Sequence, residues 1–90
     1  MQENQRFGQA QIEVKNLAKR PNNDELLALY GFYKQASEGN VQGSRPGIIN
    51  LKGRAKWDAW KKLEGMKSQD AMKAYNDLVD QLKSNYGMSS

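Results

Sequence analysis

Apolar residues recur at steps of three and four in four separate stretches of this chain, with glycine or proline closing or separating them. That spacing puts each set on one stripe of an α-helix. In the first stretch Phe7, Ala10, Val14 and Leu17 share a stripe, and Pro21 stops the run shortly after Ala18. Asn22 or Asn23 can cap a second helix, with Asp24 and Glu25 in its positive first turn, before Leu26, Leu29, Tyr30 and Tyr33. This helix fades near Gly39. The segment from Gly39 to Gly47, GNVQGSRPG, has three glycines and a proline and reads as a long ordered loop. A third helix carries Trp57, Trp60 and Leu63 on one face and closes at Gly65. The fourth opens with Ser68 as N-cap and Asp70 behind it, runs through Met72, Tyr75, Val79, Leu82 and Tyr86, and ends at Gly87. The expected fold is all-α, a four-helix bundle made by a single domain over residues 1–90.

A chain of 90 residues buries only about 60 to 65% of the surface that its unfolded form exposes, so its core is thin and a ligand site must lie near the surface. Hydrophobic residues make up 38% of it and charged ones 27%, enough to fold but with no surplus for large buried cavities. The net charge of +4 favours anionic partners without choosing among nucleotide, nucleic acid and membrane. With no cysteine and no histidine the chain lacks a thiol nucleophile, an imidazole base and the usual zinc ligands. The expectation is a protein that is not an enzyme and holds no metal. The start, MQENQRFGQAQ, has no signal-peptide pattern, and no stretch approaches the roughly 20 apolar residues of a membrane span. A cytoplasmic address is the corresponding expectation.

The stretch YGFYK sets Tyr30, Tyr33 and Lys34 at i, i+3 and i+4, on one helical face. On spacing alone, two core rings beside a solvated lysine explain it better than a ligand site does. Lys52 and Lys56, four apart at the start of the third helix, shift that balance. Two ammonium groups on one face repel unless an anion or solvent separates them. Trp57 and Trp60, three apart in a domain with so little core, read as packing anchors, as do Met72, Val79 and Leu82. Tyr75 could turn its hydroxyl outwards as a polar handle. No spacing recommends a pair of carboxylates as general acid and base, and GSRPG does not match a dinucleotide fingerprint.

In the pieces YGFYKQA, RPG, KGRAKWDAW and DAMKAY, at these separations, the chain resembles the acyl-CoA-binding protein family, and the likeness spans Phe7 to Gly87. The resemblance implies an up-down-down-up four-helix bundle that binds medium- to long-chain fatty acyl-CoA esters in a surface bowl and does no chemistry on them. It implies no cofactor beyond that ligand. Tyr30, Tyr33 and Lys34 would line the nucleotide part of the site, with a tyrosine ring against adenine and Lys34 on phosphate, and Gly31 and Phe32 between them would also belong to the acyl-CoA site. Lys56 would hold the ribose 3′-phosphate, Lys52 and Lys15 would add cationic contacts, and Tyr75 would donate a hydrogen bond. Leu26, Leu27 and Ala55 would contact the acyl chain. The chain departs from the family pattern at Arg54, where lysine is common, at Gln11, which replaces a small apolar residue, and at Phe32, where a polar residue is frequent. These changes bear on acyl-length preference.

Energetically, each charge-assisted bond to phosphate would contribute roughly 1.5 to 3 kcal/mol, and stacking of adenine on tyrosine roughly 1 to 3 kcal/mol. Neither separates CoA from its esters. Burying chain methylenes at about 0.8 kcal/mol each does, so the acyl chain should dominate selectivity. The head lying over its own chain would shield the thioester from water. The implied carrier is a monomer, with enzymes that consume acyl-CoA as further partners and neither nucleic acid nor stable membrane insertion involved. A basic helical module for nucleic acid or for a protein partner is the alternative, weakened by Asp24, Glu25, Asp58, Asp70, Asp77 and Asp80, which interrupt the positive surface.

Overall fold

The computed structural model describes residues 2–89 and contains four helices: α1 (Gln2–Val14), α2 (Asn23–Glu38), α3 (Leu51–Lys61) and α4 (Ser68–Tyr86). Their directions follow from which residues meet. Asn76 donates to Glu3, Arg6 pairs with Asp80, and Lys83 reaches Glu13, so positions ascend together and α1 runs parallel to α4. Tyr86 instead donates to Glu25, and Ser68 to the Ala36 carbonyl, which makes α2 antiparallel to α4. Lys56 lies over Tyr30, and the Trp60 indole donates to the Gly39 carbonyl at 2.7 Å, so α3 runs parallel to α2. The order is up-down-down-up. Among the described residues α4 packs on both α1 and α2, while α3 packs on α2 alone.

The core follows from this arrangement. Ala71, Tyr75, Val79 and Leu82 form the buried stripe of α4, faced by Phe7 and Ala10 from α1 and by Leu29 and Ala36 from α2. Phe7 meets Tyr75 edge-on at 5.1 Å between ring centroids, a favoured aromatic geometry. Gly31 fixes the closest approach of α2 to α3, since a Cβ there would stand 2.7 Å from the Ala59 carbonyl oxygen. Parallel helices need a connection about as long as a helix, and residues 39–50 supply it. Asn40 holds its start by accepting from Gln35 at 3.0 Å and from the Gly65 amide at 2.8 Å. Arg45 holds its middle by a two-pronged bond to Asp58 at 2.9 and 2.7 Å.

Three boundaries differ from the sequence reading. α1 begins five residues before Phe7 and ends at Val14, so Leu17 is not helical. It bridges Met88 instead, with the Ala18 amide donating to Gly87 and the Ser89 amide to Asn16, both at 2.8 Å. Leu17 keeps its place in the apolar rhythm because it still packs against the core, which is what the spacing records. Ser68 is the first residue of α4 rather than its cap. Lys67 takes the cap position without a side-chain bond, since an ammonium has no acceptor to offer the helix amides, and the Ser68 hydroxyl donates to the Ala36 carbonyl. α3 stops at Lys61, and a run of turns carries the chain to Gly65. Asn22 caps α2 as expected: it accepts from the Glu25 amide at 2.8 Å, and the Glu25 carboxylate accepts from the Asn22 amide at 2.9 Å.

Candidate functional site

Because α3 touches α2 only, the two helices leave an open trough at their N-terminal ends. Its volume is about 450 Å³. Leu26 and Leu27 from α2 and Leu51 and Ala55 from α3 line its apolar part, while Arg20, Asn23, Lys52 and Lys56 are its polar residues. Leu26 also borders a second hollow of about 320 Å³ on the other side of α2. Val14, Pro21 and Leu29 line that one with the rings of Tyr30, Tyr33 and Tyr75, and Lys15 stands at its edge. Both volumes fall in the usual range of small-molecule sites, roughly 300 to 1,000 Å³. Tyr30 links the two, since its ring lines the second hollow while the Lys56 ammonium, from the first, sits 5.4 Å from the ring centroid.

The charges around these hollows are unbalanced. Among the described residues Arg6, Lys34, Arg45, Lys61, Lys73 and Lys83 have carboxylate partners. Lys15, Arg20, Lys52 and Lys56 have none, and all four line the hollows. The N-termini of α2 and α3 open beside the trough and add the positive ends of two helix dipoles. Tyr75 is buried, and burial raises its hydroxyl pKa, so the phenol stays protonated. An anion with apolar and aromatic parts is what such a surface can hold. No group of three or more histidine, cysteine, aspartate or glutamate side chains is placed to bind a metal among the described residues.

Of the residues singled out from the sequence, Lys15, Leu26, Leu27, Tyr30, Tyr33, Lys52, Ala55, Lys56 and Tyr75 all line one hollow or the other. Gly31, Phe32 and Lys34 do not. Gly31 is buried against α3, and Phe32 packs on the edge of the core. Lys34 is paired with Glu38, which raises its pKa, and its ammonium lies 5.0 Å from the centroid of the Trp60 ring. Tyr75 turns inward into the second hollow rather than out to solvent, because Phe7 and the α1 face close over it. The sequence marks neither Arg20 nor Leu51 as a site residue, and Asn23 only as a possible helix cap. Arg20 sits in the loop before Pro21, where no periodicity marks it; its only signal was a Lys19-Arg20 pair with no acid before Asp24.

A family model described as acyl CoA binding protein matches residues 4–79. The chain is 46% identical over 81 residues to acyl-CoA-binding protein homolog 1 of Caenorhabditis elegans, covering 90% of this chain and 94% of that one. It is 44% identical over 82 residues to the acyl-CoA-binding protein homolog of Drosophila melanogaster, covering 91% and 95%. Among solved structures, acyl-CoA-binding protein 2 of Oryza sativa superposes with a TM-score of 0.90 at 44% identity, covering 94% of this chain and 92% of that one. The solution structure of the yeast protein gives 0.70 at 46% identity, covering 90% and 94%.

Proposed function

Because the chain belongs to the acyl-CoA-binding protein family, we propose that its two hollows form one site, with the nucleotide of an acyl-CoA ester among the tyrosines and lysines and the chain along the aliphatic wall. The protein binds and carries acyl-CoA without catalysing a reaction on it. In this reading Lys56 takes the ribose 3′-phosphate, and Lys15, Arg20 and Lys52 share the remaining phosphate charge. Each such bond contributes about 1.5 to 3 kcal/mol. The adenine stacks on Tyr30 or Tyr33, and the Tyr75 hydroxyl, kept protonated by burial, donates to the ligand. Leu26, Leu27, Leu51 and Ala55 take the acyl chain. Gly31 serves by letting α2 and α3 approach closely, and Phe32 by packing α2 on the core. Lys34 reaches phosphate only by leaving Glu38.

The observation that carries the reading is the gathering of Arg20, Lys52 and Lys56, without carboxylate partners among the described residues, around the aliphatic wall of the trough, with Lys15 at the adjoining tyrosine-lined hollow. A compact polyanion with an apolar tail matches it better than nucleic acid, which calls for a stripe of charge along a face. Medium- to long-chain esters fit best, because each buried methylene adds about 0.8 kcal/mol. The same reading makes the protein a monomeric carrier in the cytoplasm that hands its ligand to acyl-CoA-consuming enzymes. Calorimetric titration with free CoA, octanoyl-CoA and palmitoyl-CoA tests it. Affinity should climb steeply with chain length, and equal binding of all three would refute the assignment of the trough to the chain.

A further inference from the structure

Three large aliphatic side chains stand in solvent within four residues at one edge of the trough. Ile48 is 74% exposed, Ile49 96% and Leu51 69%. A folded protein this small rarely leaves such a cluster in water without a use for it. Ile48 and Ile49 occupy a turn closed by the Asn50 amide on the Gly47 carbonyl at 3.0 Å, and Leu51 then opens α3 and lines the trough. From Val41 to Trp57 the chain contains no aspartate or glutamate. Arg45 in that span is held by Asp58, whereas Lys52, Arg54 and Lys56 have no ion-pair partner among the described residues. The apolar turn is thus backed by cations on the helix that follows it.

We infer that this edge docks on an anionic lipid bilayer, with Ile48 and Ile49 entering the headgroup region and the neighbouring cations facing the negative surface. The inference rests on the acyl-CoA reading above and goes beyond it, because it assigns a surface rather than a ligand pocket. Two features favour a lipid surface over a protein partner. The isoleucines stand on a protruding turn and line no groove, so they offer no seat for a partner's helix. Aliphatic tips with cations behind them are also the pattern that partitions into a charged interface, where apolar insertion and attraction to anionic headgroups add. Docking there would open the trough towards the surface in which acyl chains are dissolved, so an ester could pass between protein and membrane with little exposure to water. No helix of the described residues is long and apolar enough to span a membrane, so the contact is peripheral.

The test is flotation of the ligand-free protein with vesicles of phosphatidylcholine alone or mixed with phosphatidylserine, alongside titration of each protein with soluble octanoyl-CoA. The wild type should float with the mixed vesicles and not with phosphatidylcholine. Binding should vanish at about 1 M salt, where the screening length falls to about 3 Å. The double variant Ile48→Ser/Ile49→Ser alters two solvent-exposed residues outside the hollows, so it should keep its affinity for octanoyl-CoA while its vesicle partitioning falls about tenfold. Unchanged partitioning of that variant would overturn the assignment of this edge, as would failure of the wild type to float while it binds octanoyl-CoA. A concentration-dependent dimer in sedimentation, lost in the double variant, would give the edge to a second copy and likewise overturn the proposal. Failure to bind octanoyl-CoA at all would instead refute the proposed function.

Discussion

Lys34 and Lys56 carry the same charge in different surroundings. Lys34 is occupied by Glu38 and lies over Trp60, whereas Lys56 faces the trough over the Tyr30 ring and has no carboxylate partner among the described residues. A phosphate arriving at Lys56 therefore gains a full charge-assisted bond, while at Lys34 it must first displace a carboxylate. Lys56→Ala should weaken binding of free CoA by about tenfold or more, and Lys34→Ala by clearly less, both read by calorimetry. An equal loss would show that Lys34 leaves Glu38 in the complex. Gly31 poses the reverse case, a residue whose lack of a side chain matters. In an exposed helix, alanine would be about 1 kcal/mol better than glycine. Here its methyl would press on the Ala59 carbonyl, which belongs to the backbone and cannot rotate away. Gly31→Ala should cost about 1 to 3 kcal/mol in urea unfolding, and it should also weaken ligand binding because α3 carries Lys52 and Lys56.

Elements are held in place by their ends. The capping box of Asn22 and Glu25 fixes the start of α2 beside the trough, and the same Glu25 carboxylate accepts the Tyr86 hydroxyl at 2.7 Å, which joins the end of α4 to it. Asn22→Ala should lower stability by about 1 kcal/mol, measured by thermal or urea unfolding. Just beyond that same end of α4, the chain after Tyr86 clasps the connection between α1 and α2. Met88 bridges Leu17, and the Ser89 amide and hydroxyl both donate to the Asn16 carbonyl. That connection carries Lys15 and Arg20 into the hollows. Deleting residues 88–90 should weaken CoA binding about two- to fivefold, and Lys15→Ala should then cost less in the shortened chain than in the full one. This non-additivity identifies coupling between the two. Additive losses would mean that the clasp stabilises the fold without positioning the lysine.

For the molecule as a whole, α1 is bound to α4 by a network in which Glu13 accepts from Arg6 at 2.8 Å and from Lys83 at 3.1 Å, while Arg6 also pairs with Asp80. The Arg6 hydrogen bond, with lesser help from Lys83, holds the Glu13 carboxyl below its ordinary value. A depressed carboxylate adds stability that is complete above its unfolded value near 4.5 and is lost as pH falls through the lower folded value. The urea midpoint should therefore drop on acidification below about pH 4.5, and Glu13→Gln should flatten that drop while lowering stability at neutral pH. A variant that retained the full acid sensitivity would move the effect to other carboxylates. Much of this architecture is legible in the sequence, because a helix repeats every 3.6 residues and its buried face, its cap at Asn22 and its stop at Gly87 are local properties. Leu17 shows the limit: its spacing records burial, and only the tertiary bridge to Met88 decided that it is not helical. The count of cations and the lack of cysteine and histidine are also fixed by composition. Which cations stay free is only partly so: Lys34 meets Glu38 one turn on in its own helix, but Arg45 meets Asp58 and Lys83 meets Glu13 only across the fold, and Arg20 and Lys56 are left open by where helices and loops come to lie. Pairs one turn apart on a helix are written in the sequence, but pairing between elements is set by separations in space, and those exist only once the four helices have packed.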